Sequence, residues 1–447
     1  MGFIIRQKWV YLVILYLISI SKLSATVIVV TSGQSLNTAI NNVLGDTILV
    51  KSGTYAEVNI SNRKFTSMRP LVILGETPGQ VTIKRTDISA GSAFKIVNCS
   101  YIVVKNLVIE GGMWGCYIQQ SDHIIFRNNE VLNTGQEGMH VNYRSRFIDI
   151  IDNHIHDSGK YNSQWGELIY IGTGSITQTP IPDSTKYVWI ENNHLHHSGN
   201  GEAVNIKAEC SHITIRNNKV HDIIPGEEYE PGKIQYNMAA IAVDDAQTSL
   251  NYNYAKSESR DIWIEGNEVY NISPGYSNWG NGIMFSSVGV NVVNNNVHDC
   301  SNRGIYSNNF AGLNLPCYVY NNTVQNCNPS TYFGFTVLAT DPGNNPNTAQ
   351  NWFSAITTGI QTLQNNEYQI QTYYSGLLSG NIHCNLRFPV DDPPQKVLVA
   401  DLAGRIVYNS KNSNSSDLII PVNKGGIYLI NIDFKTGKVL KNKVLVH

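Results

Sequence analysis

One short phrase recurs between residues 126 and 324 and constrains the fold of this 447-residue chain more than any other feature. Each copy has a branched apolar or aromatic residue, then an asparagine, then a valine, isoleucine or leucine two positions later. A β-branched repeat whose shorter periods lie in the twenties predicts a solenoid built from strands, in which residues distant in sequence are stacked in space. The asparagines are Asn129, Asn153, Asn193, Asn218, Asn267, Asn295 and Asn322, at intervals of 24, 40, 25, 49, 28 and 27 residues.

The composition favours an exported protein that faces sugars. Charged residues make up only 15% of the chain and the formal net charge is −2, whereas proteins that bind nucleic acids usually carry a basic excess. Arg6 and Lys8 precede an apolar run, Trp9–Ile20, that is too short to span a bilayer. We therefore predict a signal peptide over residues 1–25 and a secreted or outer-membrane-surface protein, with a membrane anchor as the alternative.

The segment after the signal peptide has the pattern of a cap. Residues 35–43 are expected to form a short helix with Leu36, Ala39, Ile40 and Val43 on one face. An uncovered first rung would expose strand edges and an apolar core, so a plug is expected there. This stretch resembles the start of many right-handed β-helix polysaccharide lyases, in which a helix closes the open end. The resemblance implies an all-β chain whose residues 26–328 form a right-handed parallel β-helix.

Each rung carries a second strand upstream of the next asparagine phrase. Because strand side chains alternate, one apolar pair per strand should point inward. Two intervals exceed the normal rung, and the extra sequence lies at 161–165, 176–186, 225–236 and 246–259. Long loops on a regular scaffold usually wall a binding site, and these bracket the same rungs. The predicted inward pairs are Met139/Val141, Ile169/Ile171, Val204/Ile206, Ile241/Val243 and Ile283/Phe285.

Stacking these strands predicts two outward columns. Tyr170 and Lys207 should lie on neighbouring rungs, two residues apart along the strand, with Cα atoms about 8 Å from each other. Their tips would then meet over one sugar linkage. The first column contains Tyr117, His140, Tyr170, Asn205, Ala242, Met284 and Tyr306, and the second contains Gln119, Asn142, Gly172, Lys207, Asp244 and Ser286.

Tyrosine, lysine and histidine on one outward face suit β-elimination from a uronic acid. That reaction needs a base for the proton at C5, a group that neutralises the carboxylate, and an acid for the leaving oxygen. A free lysine, with a pKa of about 10.4, is a poor base at neutral pH unless desolvation or nearby positive charge lowers its pKa. Tyr170 would supply the acid, and His140, Arg144 and Arg146 would hold carboxylates. The alternative is that Lys207 is an ordinary surface lysine at a strand end.

Two stretches resemble the β-helical alginate lyases of polysaccharide lyase family 31. They are Gly166–Gly172, read as Gly-Glu-Leu-Ile-Tyr-Ile-Gly, and Gly201–Lys207, read as Gly-Glu-Ala-Val-Asn-Ile-Lys. The resemblance implies a lyase acting on an acidic polysaccharide, most simply alginate, with Lys207 as base and Tyr170 as acid, and it implies no cofactor. Two other functions stay open, a non-catalytic glycan-binding adhesin and a glycoside hydrolase using Glu167 and Glu202. The expected substrate-binding residues are His140, Arg144, Asn205, Tyr117, Glu167 and Glu202.

A third column precedes the inward pairs and contains three carboxylates. Like charges at rung spacing repel one another unless they are compensated. The three carboxylates have three possible interpretations. The first is a calcium site near Glu167 and Glu202. The second is that they are corner residues that cap backbone N–H groups or pair with Lys207, and the third is a glycosidase pair. The second interpretation is favoured. The column contains Trp114, Glu137, Glu167, Glu202, Ala239, Asn281 and Arg303.

Histidines form a further column, on a different face from Tyr170. His156, His196, His221 and His298 share one offset after the asparagine phrase, with Tyr270 interleaved. A zinc or iron site and a structural ladder are both open. Since no acidic partner is evident at metal-ligand spacing, we favour the ladder and assign no metal ligand.

Two cysteines also share an offset after the asparagine phrase. Cys300 and Cys327 should therefore lie on adjacent rungs, about 4.8 Å apart, which a disulfide tolerates. We predict a bridge or a stacked thiol pair.

The pattern ends after Asn328, where residues 329–365 look like a closing cap or linker. Residues 366–447 have alternating strands separated by turns, which predicts a small antiparallel sandwich. This part resembles the C-terminal sorting domain of the type IX secretion system and implies that machinery as a partner and an outer-membrane export route. An accessory carbohydrate-binding sandwich is the alternative, and we expect a monomer. The residues that match the sorting domain of the type IX secretion system are Asp401, Gly404, Arg405, Gly426, Tyr428 and Lys443–Leu445.

Overall fold

A computed structural model divides the chain into two compact units, Met1–Ala349 and Gln350–His447. No helix in the described residues is long and apolar enough to cross a membrane. The predicted signal peptide lies outside the described residues. The structure describes residues 27–67, 69–173, 183–199, 202–207, 210–223, 239–243, 261–273, 280–307, 316–347, 349, 369–375, 381–388, 391–401, 405–411, 417–422, 426–437 and 439–446.

The first unit is a right-handed coil of three parallel sheets, as predicted, and each rung visits sheet 1, sheet 2 and sheet 3 in turn. Sheet 1 contains Val27–Val30, Thr47–Val50, Leu71–Gly75, Ser100–Lys105, Asp122–Arg127, Arg146–Ile151, Lys186–Glu191, Ser211–Arg216, Ile262–Glu265, Val290–Val293 and Tyr318–Tyr320. Sheet 2 contains Gly53–Ala56, Val81–Arg85, Val108–Gly111, Glu130–Leu132, His154–His156, His194–His196, Lys219–Ile223, Glu268–Ile272, Asn296–Cys300 and Thr323–Gln325. Sheet 3 contains Val58–Ser61, Ser92–Val97, Trp114–Gln119, Met139–Asn142, Ile169–Ile171, Val204–Ile206, Ala239–Val243, Asn281–Phe285, Ile305–Ser307 and Thr331–Phe333.

The core of the coil is a continuous apolar column. All five predicted inward pairs of sheet 3 are fully buried within it. Each strand alternates, so the residues between these apolar side chains face outward. The stacking is therefore strict enough to place outward residues by register alone.

The N-terminal end is closed by a short helix, as predicted. The helix spans Leu36–Asn41, the Ser35 side chain caps its first turn, and Leu36 and Ile40 are buried. Strand Val27–Val30 already belongs to sheet 1 and pairs with Thr47–Val50. The strand Val27–Val30 gave no periodic signal in the sequence because it precedes the first asparagine phrase. A short 3₁₀ helix, Ser163–Trp165, lies in a loop farther along the coil.

The recurring asparagines form a ladder at the corner between sheets 1 and 2, and all of them except Asn322 at its end are buried. Asn193 donates through Nδ2 to the Ile150 carbonyl and to Asn218 Oδ1, both at 2.9 Å. Its own Oδ1 accepts from the main-chain N–H and the side chain of Asn153, at 2.9 and 3.1 Å. The residue before each of these asparagines has a positive φ, for example 55° at Asn128 and 56° at Asp152. Short polar side chains tolerate that left-handed conformation, which explains why the phrase contains paired Asx residues.

The second unit is a small antiparallel sandwich. One sheet contains Gln369–Ser375, Asn381–Arg387 and Asp417–Pro421, and the other contains Pro394–Asp401, Ile406–Lys411, Gly426–Phe434 and Val439–Val446. Side chains from both sheets, including Ile382, Ile420, Val397 and Ile430, share one buried core. Arg405 ion-pairs with Asp401 at 3.0 Å, and Tyr428 is buried.

Candidate active site

The predicted outward column of sheet 3 is confirmed by the strand register. Tyr117 pairs with His140, His140 with Tyr170, and Tyr170 with Asn205. The register continues through Ala242 and Met284 to Tyr306. The part of this column from Tyr117 to Asn205, with the residues around it, is called the groove below.

Tyr170 and Lys207 lie side by side in the groove. The Lys207 ammonium nitrogen is 4.9 Å from the centre of the Tyr170 ring. Tyr170 alternates with the inward Ile169 and Ile171 and is absent from the apolar core, so it faces outward although only 6% of it is exposed. A phenol and an amine that are 37 residues apart in sequence therefore share one partly desolvated surface, as the stacking predicts.

Gly172 makes room for this pair. Its φ is +101°, which favours glycine, and a Cβ added there would lie 2.6 Å from Cys210 Sγ and 3.0 Å from Lys207 Cβ. Its carbonyl lies 3.1 Å from His140 Nε2, and its N–H donates to the Val141 carbonyl. Any other residue would push Lys207 away from its position next to Tyr170.

His140 is fixed by contacts on several sides. Its Nδ1 lies 3.3 Å from Glu137 Oε1, and its ring lies edge-on to Tyr170 with centres 4.7 Å apart. Asn142 Nδ2 contacts both His140 Nε2 and the Tyr117 hydroxyl, each at 3.2 Å. Burial raises the pKa of Tyr117. Two of the side chains expected to bind substrate, Tyr117 and His140, are thus connected to each other through Asn142.

The predicted carboxylate column stacks as expected along the edge of the groove. Glu137, Glu167 and Glu202 are all buried, and the N–H groups of Gly138 and Leu168 bond to the carbonyls of Glu167 and Glu202. Burial raises the pKa of Glu167 well above its ordinary value, and the neighbouring Glu137 and Glu202 raise it further against the opposing effect of Lys207. Glu167 is therefore held towards its neutral form.

The three glutamates differ in how their oxygens are used. Glu202 Oε2 accepts from Asn205 Nδ2 at 3.0 Å, and Glu137 Oε1 lies beside His140. Glu137 Oε2 and Glu167 Oε2 are buried and make no hydrogen bond within the described part of the chain. Among the described residues, two groups of side chains bring possible metal-ligand atoms within 4.8 Å of one another. Neither group contains any of these three glutamates. Buried oxygens of this kind suit a polar ligand, because leaving them unpaired costs free energy.

A basic cleft lies at the turn that leads from sheet 3 to sheet 1. Arg144, Arg146 and Lys186 line a space of about 360 Å³, together with Asp122 and Ser184. Arg144 and Arg146 are exposed, and Arg144 comes two residues after the end of the strand Met139–Asn142, which carries His140. The cleft therefore offers guanidinium and ammonium groups to an anion.

The extra loops are described only in part. Tyr161 and Trp165, in the first of them, are 60% and 46% exposed, so their rings are available as flat surfaces. The predicted loop segments at 225–236 and 246–259, and most of 176–186, lie outside the described residues. Asp244 of the second outward column also lies there.

The histidine column is on sheet 2, a different face from Tyr170, as predicted, but it is wider than expected. His154 and His194 form a second column beside His156 and His196, since residues two apart share a face. The expectation that no acidic partner lies close was wrong, because Glu130 Oε1 is 3.2 Å from His156 Nε2. Asp157, which follows His156 directly in the chain, also lies 2.7 Å from its Nδ1. Glu130 lies one rung away, which sequence spacing alone conceals. Burial and the neighbouring imidazoles lower the pKa of His194 to about 4 and of His196 to about 3.

Cys300 and Cys327 form the stacked thiol pair that was one of the two predicted outcomes, and both are free cysteines. Contact with the Cys300 thiol lowers the pKa of Cys327 to about 7, and the same contact raises the pKa of Cys300.

Several residues of the groove escaped the sequence analysis. Asn142 and Gly172 were placed in a column but given no role, and Lys186 was not considered. Asn142 contacts two other groove residues, and its Oδ1 is buried without a hydrogen bond within the described part of the chain. The available signal was its position directly before Gly172 in the same column.

Comparisons with known proteins agree with the fold. Residues 20–180 match the family described as the right-handed beta helix region. No curated protein matches the sequence. The crystal structure of an alginate lyase from Paenibacillus sp. str. FPU-7 is similar with a TM-score of 0.52 at 17% identity, over 69% of this chain and 97% of that lyase.

Two further solved structures are similar at lower scores. Pectate lyase Pel9A gives a TM-score of 0.48 at 13% identity, over 77% of this chain and 87% of that one. A mannuronic-acid-specific polysaccharide family 6 lyase from human gut microbiota gives 0.39 at 14% identity, over 70% and 77%. At such identities the likeness concerns the β-helix architecture.

Proposed function

We propose that this chain is a secreted polysaccharide lyase that cleaves a uronic-acid-containing polymer, with alginate as the first candidate. The observation that carries the proposal is the contact between Tyr170 and Lys207 on an outward, partly desolvated face. The basic cleft, at the turn that follows the strand of His140, supports an anionic substrate. One similar solved structure, matched over 97% of its length, is described as an alginate lyase.

In the proposed reaction Lys207, as the neutral amine, takes the proton from C5 of the uronate. The electrons of that C–H bond form a double bond between C4 and C5, and the bond from C4 to the glycosidic oxygen breaks. Tyr170 donates its phenolic proton to that leaving oxygen. Arg144 and His140 hold the uronate carboxylate, whose negative charge would otherwise oppose removal of the C5 proton.

The buried glutamates have a defined part in this scheme. Three ionised carboxylates next to Lys207 would favour its ammonium form and oppose its use as a base. Because Glu167 is held towards its neutral form, it contributes less negative charge to the surroundings of Lys207. Asn205, Tyr117, Glu167 and Glu202 then serve the sugar hydroxyls as hydrogen-bonding partners.

The test is a panel of alginate, pectate and glycosaminoglycans, followed by the ultraviolet absorbance of the unsaturated uronate product. We expect turnover on at least one uronate polymer and a fall in kcat of about 10²- to 10⁴-fold in Lys207→Ala and in Tyr170→Phe. Lys207→Arg keeps the positive charge but cannot act as a base, so it should be as inactive as Lys207→Ala.

The chain provides a matched control for the phenol. Tyr306 occupies the same column farther along the coil, and the Arg303 guanidinium lies over its ring at 4.5 Å, much as Lys207 lies over Tyr170. Tyr306→Phe should therefore keep full activity. Normal turnover in Tyr170→Phe or Lys207→Ala would reject the assigned roles. Reducing ends without a double bond would indicate a glycoside hydrolase using Glu167 and Glu202, and saccharide binding without cleavage would indicate an adhesin.

For cellular location we propose export by a signal peptide over residues 1–25 and a type IX secretion route through the C-terminal unit. The ion pair between Asp401 and Arg405 and the buried Tyr428 support this proposal. Deletion of residues 366–447 should leave the protein inside cells of a host with that machinery and should not reduce lyase activity. Unchanged export of the shortened chain would exclude the route.

A further inference from the structure

Histidines are concentrated on two rungs of sheet 2. The strands His154–His156 and His194–His196 each present two imidazoles on the outward face, and they pair in register. The two neighbouring rungs carry at most one histidine at these positions. The rung before has Glu130 and Leu132, and the rung after has Lys219 and His221. Ring stacking alone does not need this concentration, since Tyr270 stacks on His221 and His298 in the same column.

The ring nitrogens of three of these side chains converge. His154, His194 and His196 each offer one ligand atom, and these atoms all lie within 4.8 Å of one another. The three ring centres are 4.7 to 4.9 Å apart, and His154 Nε2 lies 2.7 Å from His196 Nε2. Two nitrogens on one tetrahedral zinc ion are about 3.3 Å apart at ordinary Zn–N bond lengths, so a small widening admits an ion.

Partners around two of the three rings hold them in place. His196 Nδ1 lies 2.6 Å from His197 Nδ1. His194 Nε2 contacts His221 Nε2 at 2.7 Å, and the other nitrogen of His221 is held by Asp222 at 2.7 Å. These contacts limit how far the rings of His194 and His196 can turn from their present orientation.

We propose that His154, His194 and His196 bind one divalent transition-metal ion of the class that prefers imidazole nitrogen, with Zn²⁺ as the physiological candidate. The ion joins two successive rungs of the coil on a face separate from the groove. His154 is 39% exposed at its side chain, so the site is open to ions from solvent. A fourth position is left to water.

The experiment uses the full chain without a polyhistidine tag, stripped with a chelator and dialysed. Titration with ZnCl₂ by calorimetry should give one ion per chain, and CoCl₂ should give the visible spectrum of a tetrahedral site with nitrogen ligands. His154→Asn and His196→Asn should each weaken Zn²⁺ binding at least about tenfold. Zn²⁺ should raise the melting temperature of the wild type and not that of either variant.

Two controls define the ligand set. His298→Asn removes a histidine of the same column that is held by Asp299 in the same way, at 2.7 Å, but has no second histidine beside it on its rung, and it should leave binding unchanged. Glu130→Gln should also leave binding unchanged, since Glu130 belongs to the alternative group with His154 and His156.

The proposal is overturned by an absence of saturable Zn²⁺ binding in the wild type, by binding that survives both histidine substitutions, or by binding lost in Glu130→Gln. If a histidine variant fails to fold by circular dichroism, anomalous diffraction at the zinc edge of wild-type crystals decides. Density between the three rings supports the site, and density elsewhere refutes it.

Discussion

The corner between sheets 1 and 2 and the edge of the groove both stack the same polar residue on successive rungs, yet they use it differently. At the corner, Asn129, Asn153 and Asn193 are buried and each is bonded to the rung before or after it. At the groove edge, Glu137 and Glu167 are equally buried, but each keeps an oxygen without a hydrogen bond within the described residues. An amide both donates and accepts, so a column of amides satisfies itself, whereas ionised carboxylates only accept.

The contrast separates structural columns from columns that are suited to a ligand. A self-satisfying column needs nothing from outside, and its repetition stabilises the coil. A column with unsatisfied oxygens is destabilising unless protons, neighbouring cations or a ligand complete it. The raised pKa of Glu167, caused first by burial and then by its two neighbours, is the first of these solutions.

The strongest test of the ladder is Asn193→Ala. This change removes the side chain that donates to Ile150 and Asn218 and accepts twice from Asn153. Because it leaves several buried groups unpaired, we expect the free energy of unfolding to fall by about 3–5 kcal/mol. The shift of the midpoint in urea unfolding measures it.

Asn322 provides the control at the end of the ladder. It accepts from Asn295 and donates to the Val292 carbonyl, but it is only partly buried. Water can replace the partners that Asn322→Ala loses, so the loss should be less than half of that in Asn193→Ala. Equal losses at the two positions would mean that burial of the ladder is not what makes it stabilising.

Much of the architecture could be predicted because strand stacking is periodic. The spacing of Asn129, Asn153 and Asn193 gave the rungs, and alternation around Ile169 and Ile171 then placed Tyr170 on the outer face. The register that brings Tyr170 to Lys207 needed no knowledge of side-chain contacts, only a rung distance of about 4.8 Å.

Other features needed coordinates. The closeness of Glu130 to His156 joins two neighbouring columns, and a column-by-column reading does not compare them. The basic cleft depends on how the turn after Asn142 presents Arg144, whose φ of 64° could not be read from the sequence. Strand Val27–Val30 lacked the asparagine phrase and so gave no periodic signal.

Glu167→Gln tests the groove side of the comparison through pH. A carboxyl whose pKa is raised by folding stabilises the protein fully below its unfolded pKa, about 4.3, and that contribution is lost as pH rises through the folded pKa. The wild type should therefore lose stability on going from pH 4 to pH 8 more than Glu167→Gln does. Melting temperatures across this range measure the difference.

The matched control is Glu268→Gln, which changes an exposed glutamate on sheet 2. It should leave the pH dependence of the wild type unchanged. A Glu167→Gln protein whose stability parallels the wild type at every pH would show that Glu167 is not held neutral by folding.

Cys300 and Cys327 offer the smallest but most specific test. They place the same residue on adjacent rungs, but a pair of thiols does not satisfy itself as the column of amides does. A thiol pair divides the roles, and contact with Cys300 holds the pKa of Cys327 at about 7. Alkylation of Cys327 by iodoacetamide, followed by peptide mass spectrometry, should be half-maximal near pH 7 in the wild type. Cys300→Ala should move that midpoint upward, whereas Cys300→Ser, which keeps a donor, should move it less. An unchanged midpoint in Cys300→Ala would mean that stacking on the next rung does not tune the thiol, and repetition would then have chemical consequences only in the asparagine and glutamate columns.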